Sequence, residues 1–475
     1  MEVSIDRRPL WLLLLIRGIR PLAFLGIAVV CGYLLSVPPP EGLTPAGRNA
    51  IAIFIVCLFL WITNLLPLAV TSIFAIIMVP FLGVLTERET FALFGNEAVF
   101  FILGAFMLSG AVMHSGLSRR IALFIMGRTG GSAKGLVRAI FLLAAVLSFF
   151  MSEHAVAAML FPMVLEIAKG LKLRPGRSSY GKLLFISLAW GCIIGGVATF
   201  LGGARVPLAA GILKETGGGT IGFFEYSLAV FPIVVVMLFV GYNVLVRLFP
   251  IDVEETGYAG DLLTKRFHEL GRISYREYAV GAIMGVTVLA WVFLGKSLGL
   301  ASIALASVVA LFILRLVRWK DIEEYVNWGI ILMYGGAIIL GKALDQSGAA
   351  AWMADHTIGA WATNPWAVIA LLSLTTLVLT EGISNAAVIA ILMPVGIGMA
   401  SRFGINPITV TFAIAVPAGL AFCLPMSTPA NAISVSSNYV SVRDMARAGI
   451  FMGVTAWVVF NIVASLYWPI IGLGA

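Results

Sequence analysis

Charge is what this sequence has least of. Only 11% of its 475 residues are Asp, Glu, Lys or Arg, where soluble domains carry about a quarter. The shortage runs the whole length of the chain, which excludes a soluble enzyme held by a single anchor. Cysteine and histidine are also scarce, at four residues each. Cys31, Cys57, Cys192 and Cys423 all lie inside apolar runs, with neither metal-ligand spacing nor the pattern of a disulfide framework. Gly217-Gly218-Gly219 is followed by no Lys-Ser/Thr pair, so it reads as a flexible turn and not as a phosphate loop. No resident cofactor and no nucleic-acid partner is expected. The formal charge of +8 is what basic loops between membrane spans would give.

What fills the chain is apolar. Hydrophobic residues make up 60% of it, and the mean hydropathy is +1.03. Segments of roughly 20 apolar residues can cross a bilayer core. The sequence predicts spans near 21–37, 50–67, 70–85, 97–115, 183–200, 227–249, 279–297, 300–316, 327–343, 407–424 and 449–473. Two more apolar segments, 139–168 and 366–400, have polar centres. Residues 1–20 carry Arg7, Arg8, Arg17 and Arg20 around an apolar stretch, with no small-residue cleavage site. They read as a retained interfacial helix.

Basic loops lie at Arg119 to Arg138, Lys169 to Lys182, Arg266 to Arg276, Arg315 to Lys320 and Arg443 to Arg447. All fall on one side if the N-terminus is cytoplasmic and both polar-centred segments are re-entrant hairpins. That arrangement obeys the positive-inside rule, with about 11 crossings of the inner (plasma) membrane and an external C-terminus. The expected fold is an all-α polytopic membrane protein.

An internal repeat adds to this. Gly104 and Gly116 match Gly336 and Gly348, Ser152-Glu153-His154 matches Ser384-Asn385-Ala386, and Pro162 matches Pro394. Every pair is 232 positions apart. Five crossings separate the hairpins, an odd number, so the halves would face opposite ways. Inverted repeats with broken helices near the midplane describe many secondary transporters. The helix after each hairpin is also interrupted, through Gly195–Pro207 in the first half and Leu424–Asn431 in the second. Thr428-Pro429-Ala430-Asn431 cannot continue an unkinked helix. Ser384-Asn385 offers small caps for a half-helix start, whose free N–H groups suit an anion, while freed carbonyls suit a sodium ion.

These motifs resemble the divalent-anion/sodium symporters, carriers of dicarboxylates, citrate or sulfate. Members of that family carry Ser-Asn-Thr at both hairpin tips and Thr-Pro-Pro-Asn in each following helix. The resemblance extends to Trp61–Thr71, the turn at Phe81–Leu85 and the Gly-rich helix at 335–341. It implies a homodimer in the lipid bilayer and an elevator mechanism, with transport elements moving against a scaffold. The implied division is an interfacial helix (1–20), first-half scaffold (21–115), first-half transport elements (116–250), a cytoplasmic connector (251–278), second-half scaffold (279–348) and second-half transport elements with the last helix (349–475). It also implies a second-half Na+ site at Thr380, Ser384, Asn385 and Ala421. Substrate would meet Ser384, Asn385, Ala386, Thr428, Pro429 and Asn431 there, and Ser152, Glu153, His154 and Arg205 from the first half.

The first half departs from the family pattern. Ser152-Glu153-His154 stands for Ser-Asn-Thr, and Gly203-Ala204-Arg205-Val206 for Thr-Pro-Pro-Asn. In the second half, Ala386 replaces a Thr and Ala430 a Pro. Charged residues at membrane depth cost a few kcal/mol each and usually pair or work. Three readings follow. Glu153 and Arg205 form a fixed salt bridge in place of a sodium ion. Alternatively, His154 and Arg205 hold an anion, since Arg takes a carboxylate or sulfonate bidentately. Or Glu153 or His154 exchanges a proton, an imidazole titrating near neutrality. Glu381, just before the second tip, is read as fixing the hairpin, with a role in coupling as the alternative. The expected function is a secondary active carrier of a small anion, a di- or tricarboxylate, coupled to Na+. The alternative is a proton-coupled or Na+-independent carrier or exchanger, of sulfate or a sulfonate among others. Without a nucleophile partnered by a base or a metal-ligand cluster, no enzyme is expected.

Overall fold

A computed structural model describes residues 10–129, 132–253, 257–356 and 364–474. Those residues form helices and loops, with no strand among them. The first half runs α1 (Leu10–Ser36), α2 (Pro45–Thr63), α3 (Leu68–Phe81), α4 (Glu87–Phe94), α5 (Glu97–Ser115), α6 (Leu117–Thr129), α7 (Ala133–Ser148), α8 (Glu153–Gly170), α9 (Ser179–Gly195), α10 (Arg205–Glu215) and α11 (Phe223–Leu248). Helix α12 (Gly257–Glu269) occupies the polar connector. The second half runs α13 (Tyr275–Leu298), α14 (Leu300–Ile313), α15 (Trp319–Ile322), α16 (Trp328–Gln346), α17 (Ala349–His356), α18 (Pro365–Gly382), α19 (Asn385–Phe403), α20 (Pro407–Ala415), α21 (Pro429–Ser436) and α22 (Val442–Leu466).

Each predicted span falls on a helix. Eight helical segments among the described residues are long and apolar enough to cross a membrane. Two of them are α18 and α19, the arms of the second polar-centred segment. Five shorter apolar helices follow the same course, α3, α9 and α14 among them. Of the interfacial helix expected at 1–20, residues 1–9 lie outside the described ones. From Leu10 the helix continues through Pro21 to Ser36, so there is no backbone break at residue 20.

Local sequence sets the boundaries. Thr44, Asn364, Asn406 and Thr428 cap helix starts, each followed by Pro at the first helical position, where the missing N–H costs nothing. Asn64 ends α2 in the left-handed conformation. Ser152 and Ser384 cap α8 and α19 alike, each hydroxyl accepting from an N–H three residues on at 3.3 Å, with ψ angles of 140° and 142°.

The element order repeats. Helices α3, α4, α6, α7 and α8 begin at 68, 87, 117, 133 and 153; α14, α15, α17, α18 and α19 begin 232 positions later. Packing is reciprocal across the halves: α3 lies on α16 as α14 lies on α5, and α10 on α19 as α21 on α8. Small residues permit the closest approaches. A methyl group at Gly336 would stand 2.5 Å from the Ser72 side chain, and one at Gly191 would stand 2.9 Å from that of Ala144. The connector helix α12 packs along α6, and Arg120 holds its end by donating to the Gly271 carbonyl at 2.8 Å and to Glu277 at 2.7 Å.

Candidate functional site

The site grows from four interruptions. Helices α7 and α8 are joined by the tip at 149–152, and α18 and α19 by Ile383 and Ser384. Beyond each hairpin the next helix stops early. Helix α9 ends at Gly195 and α10 starts at Arg205; α20 ends at Ala415, a single turn at Pro417–Gly419 follows, and α21 starts at Pro429. The spans predicted to reach 200 and 424 are therefore shorter than expected. The interrupted segments are themselves apolar, with Val197, Phe200, Leu420 and Phe422 buried, so hydropathy carries on where the helix does not. Each segment folds back onto its own hairpin.

In the second half, the Thr380 hydroxyl lies 2.8 Å from Asn385 Oδ1 and 2.9 Å from the Ala418 carbonyl, donating between them. Asn431, fully buried, turns its Nδ2 to the Ala421 carbonyl and Ser427 Oγ, both at 3.1 Å, and to the Leu424 carbonyl at 3.3 Å. Thr428 Oγ1 caps α21 by accepting from Asn431 N, and Ala386 is buried in the first turn of α19. Thr380, Asn385, Ala421, Thr428 and Asn431 thus gather around one turn of backbone. Glu381 fixes the same segment, as the sequence predicted. Its two oxygens accept from Phe422 N at 2.8 Å, from Cys423 N at 2.9 and 3.1 Å, and from Leu424 N at 3.2 Å. A carboxylate so surrounded by N–H groups needs no cation.

The first half is built from other chemistry. Glu153 and Arg205 are both 1% exposed, and Arg205 Nη1 donates to Glu153 Oε2 at 3.5 Å. Glu153 N donates to the Gly202 carbonyl at 2.9 Å, and Thr199 Oγ1 to the Phe149 carbonyl at 2.7 Å. Three glycines make the room. At Gly196 a methyl group would stand 2.7 Å from the Glu153 carboxylate, and at Gly203 and Gly419 it would overlap the Arg205 guanidinium. Gly419 belongs to the second half, so Arg205 reaches from one interrupted segment to the other. The Tyr334 hydroxyl of α16 donates to the Ala204 carbonyl and steadies the start of α10.

Not every singled-out residue joins these groups. His154 is half-exposed, and its Nδ1 stands 3.9 Å from Glu153, beyond hydrogen-bonding reach. Ser152 acts as a cap, and Pro429 opens α21. His114 lies 3.4 Å from Asp321, and His356 stacks on Trp352. The sequence reading gave no role to Ala418, Ser427 or the three glycines around the ion pair, Gly196, Gly203 and Gly419. It also missed Ser148, buried beside Cys192; the offset of 232 from Thr380 would have marked it.

The chain is similar to known proteins. The chain is 26% identical over 479 residues to the sodium-dependent dicarboxylate transporter SdcS of Staphylococcus saprophyticus, covering 94% of this chain and 92% of that one. It is 26% identical over 458 residues to SdcS of Staphylococcus aureus strain NCTC 8325, covering 91% and 88%. Both are transporters and neither is an enzyme. Two solved structures share the fold at low identity. MtrF of Neisseria gonorrhoeae matches with a TM-score of 0.57 and 14% identity over 80% of this chain and 83% of that one. The YdaH transporter of Alcanivorax borkumensis matches at 0.52 and 15%, over 80% and 87%. Across residues 21–473 the chain fits the family described as the sodium:sulfate symporter transmembrane region, and it belongs to that family.

Proposed function

We propose that the chain is a secondary active transporter of small anions, di- or tricarboxylates first, driven by Na+ through the second-half cluster. One observation carries the reading. Asn385, Thr380 and the carbonyls of Ala418 and Ala421 turn neutral oxygens toward one interrupted turn. Uncharged oxygens at a broken helix are what a sodium ion takes. The named relatives, sodium-dependent dicarboxylate transporters, support the same coupling here. Ser384 belongs to that ion site. The starts of α8, α19 and α21 offer free N–H groups to an anion, beside Asn385, Ala386, Thr428, Pro429 and Asn431, and beside Ser152, Glu153, His154 and Arg205.

Residues 116–250 and 349–475 would move as one body against a scaffold of 21–115 and 279–348. The reciprocal packing of α3 on α16 and α14 on α5 supports an inverted repeat, with 139–168 and 366–400 as re-entrant hairpins. The chain would work as a homodimer in the inner (plasma) membrane, N-terminus cytoplasmic and C-terminus external. The test is uptake of labelled succinate, citrate and sulfate into proteoliposomes, with Na+ and pH gradients imposed separately. Succinate or citrate uptake that rises with inward Na+ and ignores the pH gradient is the expected result. Uptake that ignores Na+ overturns it. That outcome would favour a second reading, motivated by Glu153, His154 and Arg205 at the first tip: a proton-coupled or Na+-independent anion carrier or exchanger, sulfate and sulfonates included.

A further inference from the structure

The repeat sets the two hairpin tips side by side, residue for residue. Ser148 stands where the second half has Thr380, Ser152 where it has Ser384, and Glu153 where it has Asn385, each 232 positions earlier. The second-half residues gather neutral oxygens at the interrupted turn. Their first-half counterparts put a hydroxyl and a full negative charge in the equivalent place. Against that charge lies the guanidinium of Arg205, buried to the same degree as the carboxylate.

The space around Arg205 decides what it can bind. A methyl group does not fit between the guanidinium and Gly419, nor between it and Gly203. The backbone of both glycines packs directly against the guanidinium, so no anion can lie between it and either of them. Arg205 is therefore closed to a substrate anion on those sides, although its Nε and Nη2 have no acceptor among the described residues. Its remaining donor, Nη1, is turned to Glu153. The guanidinium is packed on by Gly203 and Gly419 and sets one positive charge beside the Glu153 carboxylate, as a bound monovalent cation would.

We propose that Arg205 is a tethered cation that occupies the ion position of the first half, so that the first half takes up no Na+. The inference rests on reading the tips as paired ion half-sites, and it fixes the coupling: one Na+ per chain, held in the second half. The positive charge of Arg205 stays covalently attached and is cancelled by Glu153, so the first half would cross with no net charge in either direction. Glu153 is then a positioning residue for a built-in cation, and neither a proton carrier nor a substrate ligand.

The experiment counts radiolabelled Na+ bound to the purified full-length chain in detergent, with choline as the replacement cation. The expected counts are one per chain for the wild type, none for Asn385→Ala, and one again for Asn385→Ala combined with Arg205→Ala, where Glu153 has lost its internal partner. Two ions on the wild type, or one persisting in Asn385→Ala, would overturn the proposal. So would a monodisperse double variant that binds none. Should the double variant fail to fold, the first two counts still decide. No Na+ on the wild type together with one on Arg205→Ala would uphold the tethered cation and overturn the sodium coupling proposed above. No Na+ on either would overturn both.

Discussion

Each half of the chain holds a carboxylate beside its hairpin tip, and the two are neutralised by different means. Glu381 precedes the second tip and is satisfied by backbone N–H groups of Phe422, Cys423 and Leu424. Glu153 sits on the first tip and is satisfied by the side chain of Arg205. The position matching Glu381 in the first half is Phe149, and the one matching Glu153 in the second is Asn385. The repeat has kept one anchor between hairpin and interrupted segment in each half, but moved it by four residues. Where backbone dipoles do the anchoring, the tip side chain is left neutral and available to an ion. Where the tip itself is the anchor, the place beside it is already filled.

The largest effect is expected from removing one charge of the first half and leaving the other. Arg205→Met keeps the volume and strands a buried carboxylate. Breaking such a pair costs about 3–5 kcal/mol, which should lower the thermal unfolding midpoint in choline chloride. Adding Glu153→Leu should recover most of the loss, since an apolar pair of similar size is close to neutral there. For the single variant, NaCl should also restore part of the midpoint, because Na+ can stand where the guanidinium stood. A single variant indifferent to NaCl would separate the ion pair from any ion site. Glu381→Gln comes next. The carboxamide keeps one acceptor and turns an NH2 toward backbone donors, so charged hydrogen bonds worth about 1.5–3 kcal/mol each are at risk. Its unfolding midpoint should fall in NaCl and choline chloride alike, since no cation can replace what backbone N–H groups supplied.

Much of this plan can be read without coordinates, and the reasons are physical. Serine caps, proline at helix starts and glycine at close approaches are local requirements, so 139–168 and 366–400 announce themselves as hairpins. The offset of 232 survives because each half repeats those requirements in order. What stays hidden is non-local. Nothing near Glu381 in sequence says that its partners are the N–H groups of residues some forty positions on. Nothing near Arg205 points to Gly419 of the other half, whose missing side chain makes room for it. Helix ends inside the protein are hidden for another reason: Val197 and Phe422 are as apolar as the helices they leave, because these segments line packed protein and not water.

Smaller effects should separate the two halves further. Thr380→Val keeps the shape of the second-half cluster and removes the hydroxyl that bridges Asn385 and Ala418. Thr380 is both a member of the proposed ion site and the group that orients Asn385, and losing an orienting partner alone typically costs about 10–100-fold in affinity. Titrating Na+-dependent uptake of succinate should show it as a raised half-saturating Na+ concentration. The matching change in the first half, Ser148→Ala, removes a buried hydroxyl that faces Cys192 and should leave that concentration unchanged. Equal effects of the two would mean that both halves bind the ion.

The smallest change in stability is expected at His154, and it bears on what the first tip still does. His154 follows Glu153 directly, yet its ring stands 3.9 Å from the carboxylate and is half-exposed. It adds no hydrogen bond to the ion pair. Substitutions away from packed or paired groups usually change stability by less than about 0.5 kcal/mol, so His154→Ala should unfold at the wild-type temperature. Its counterpart in the other half is Ala386, which offers no donor at all. If the first tip contributes to anion binding through this position, the apparent affinity for succinate should fall about tenfold, the loss of one charge-assisted hydrogen bond, with the Na+ count unchanged. Glu153 and His154 would then divide the labour of one tip, the first residue holding the tethered cation and the second meeting the cargo. A fall in stability without a fall in affinity would instead tie His154 to the ion pair, and leave the second half as the sole contact for the anion.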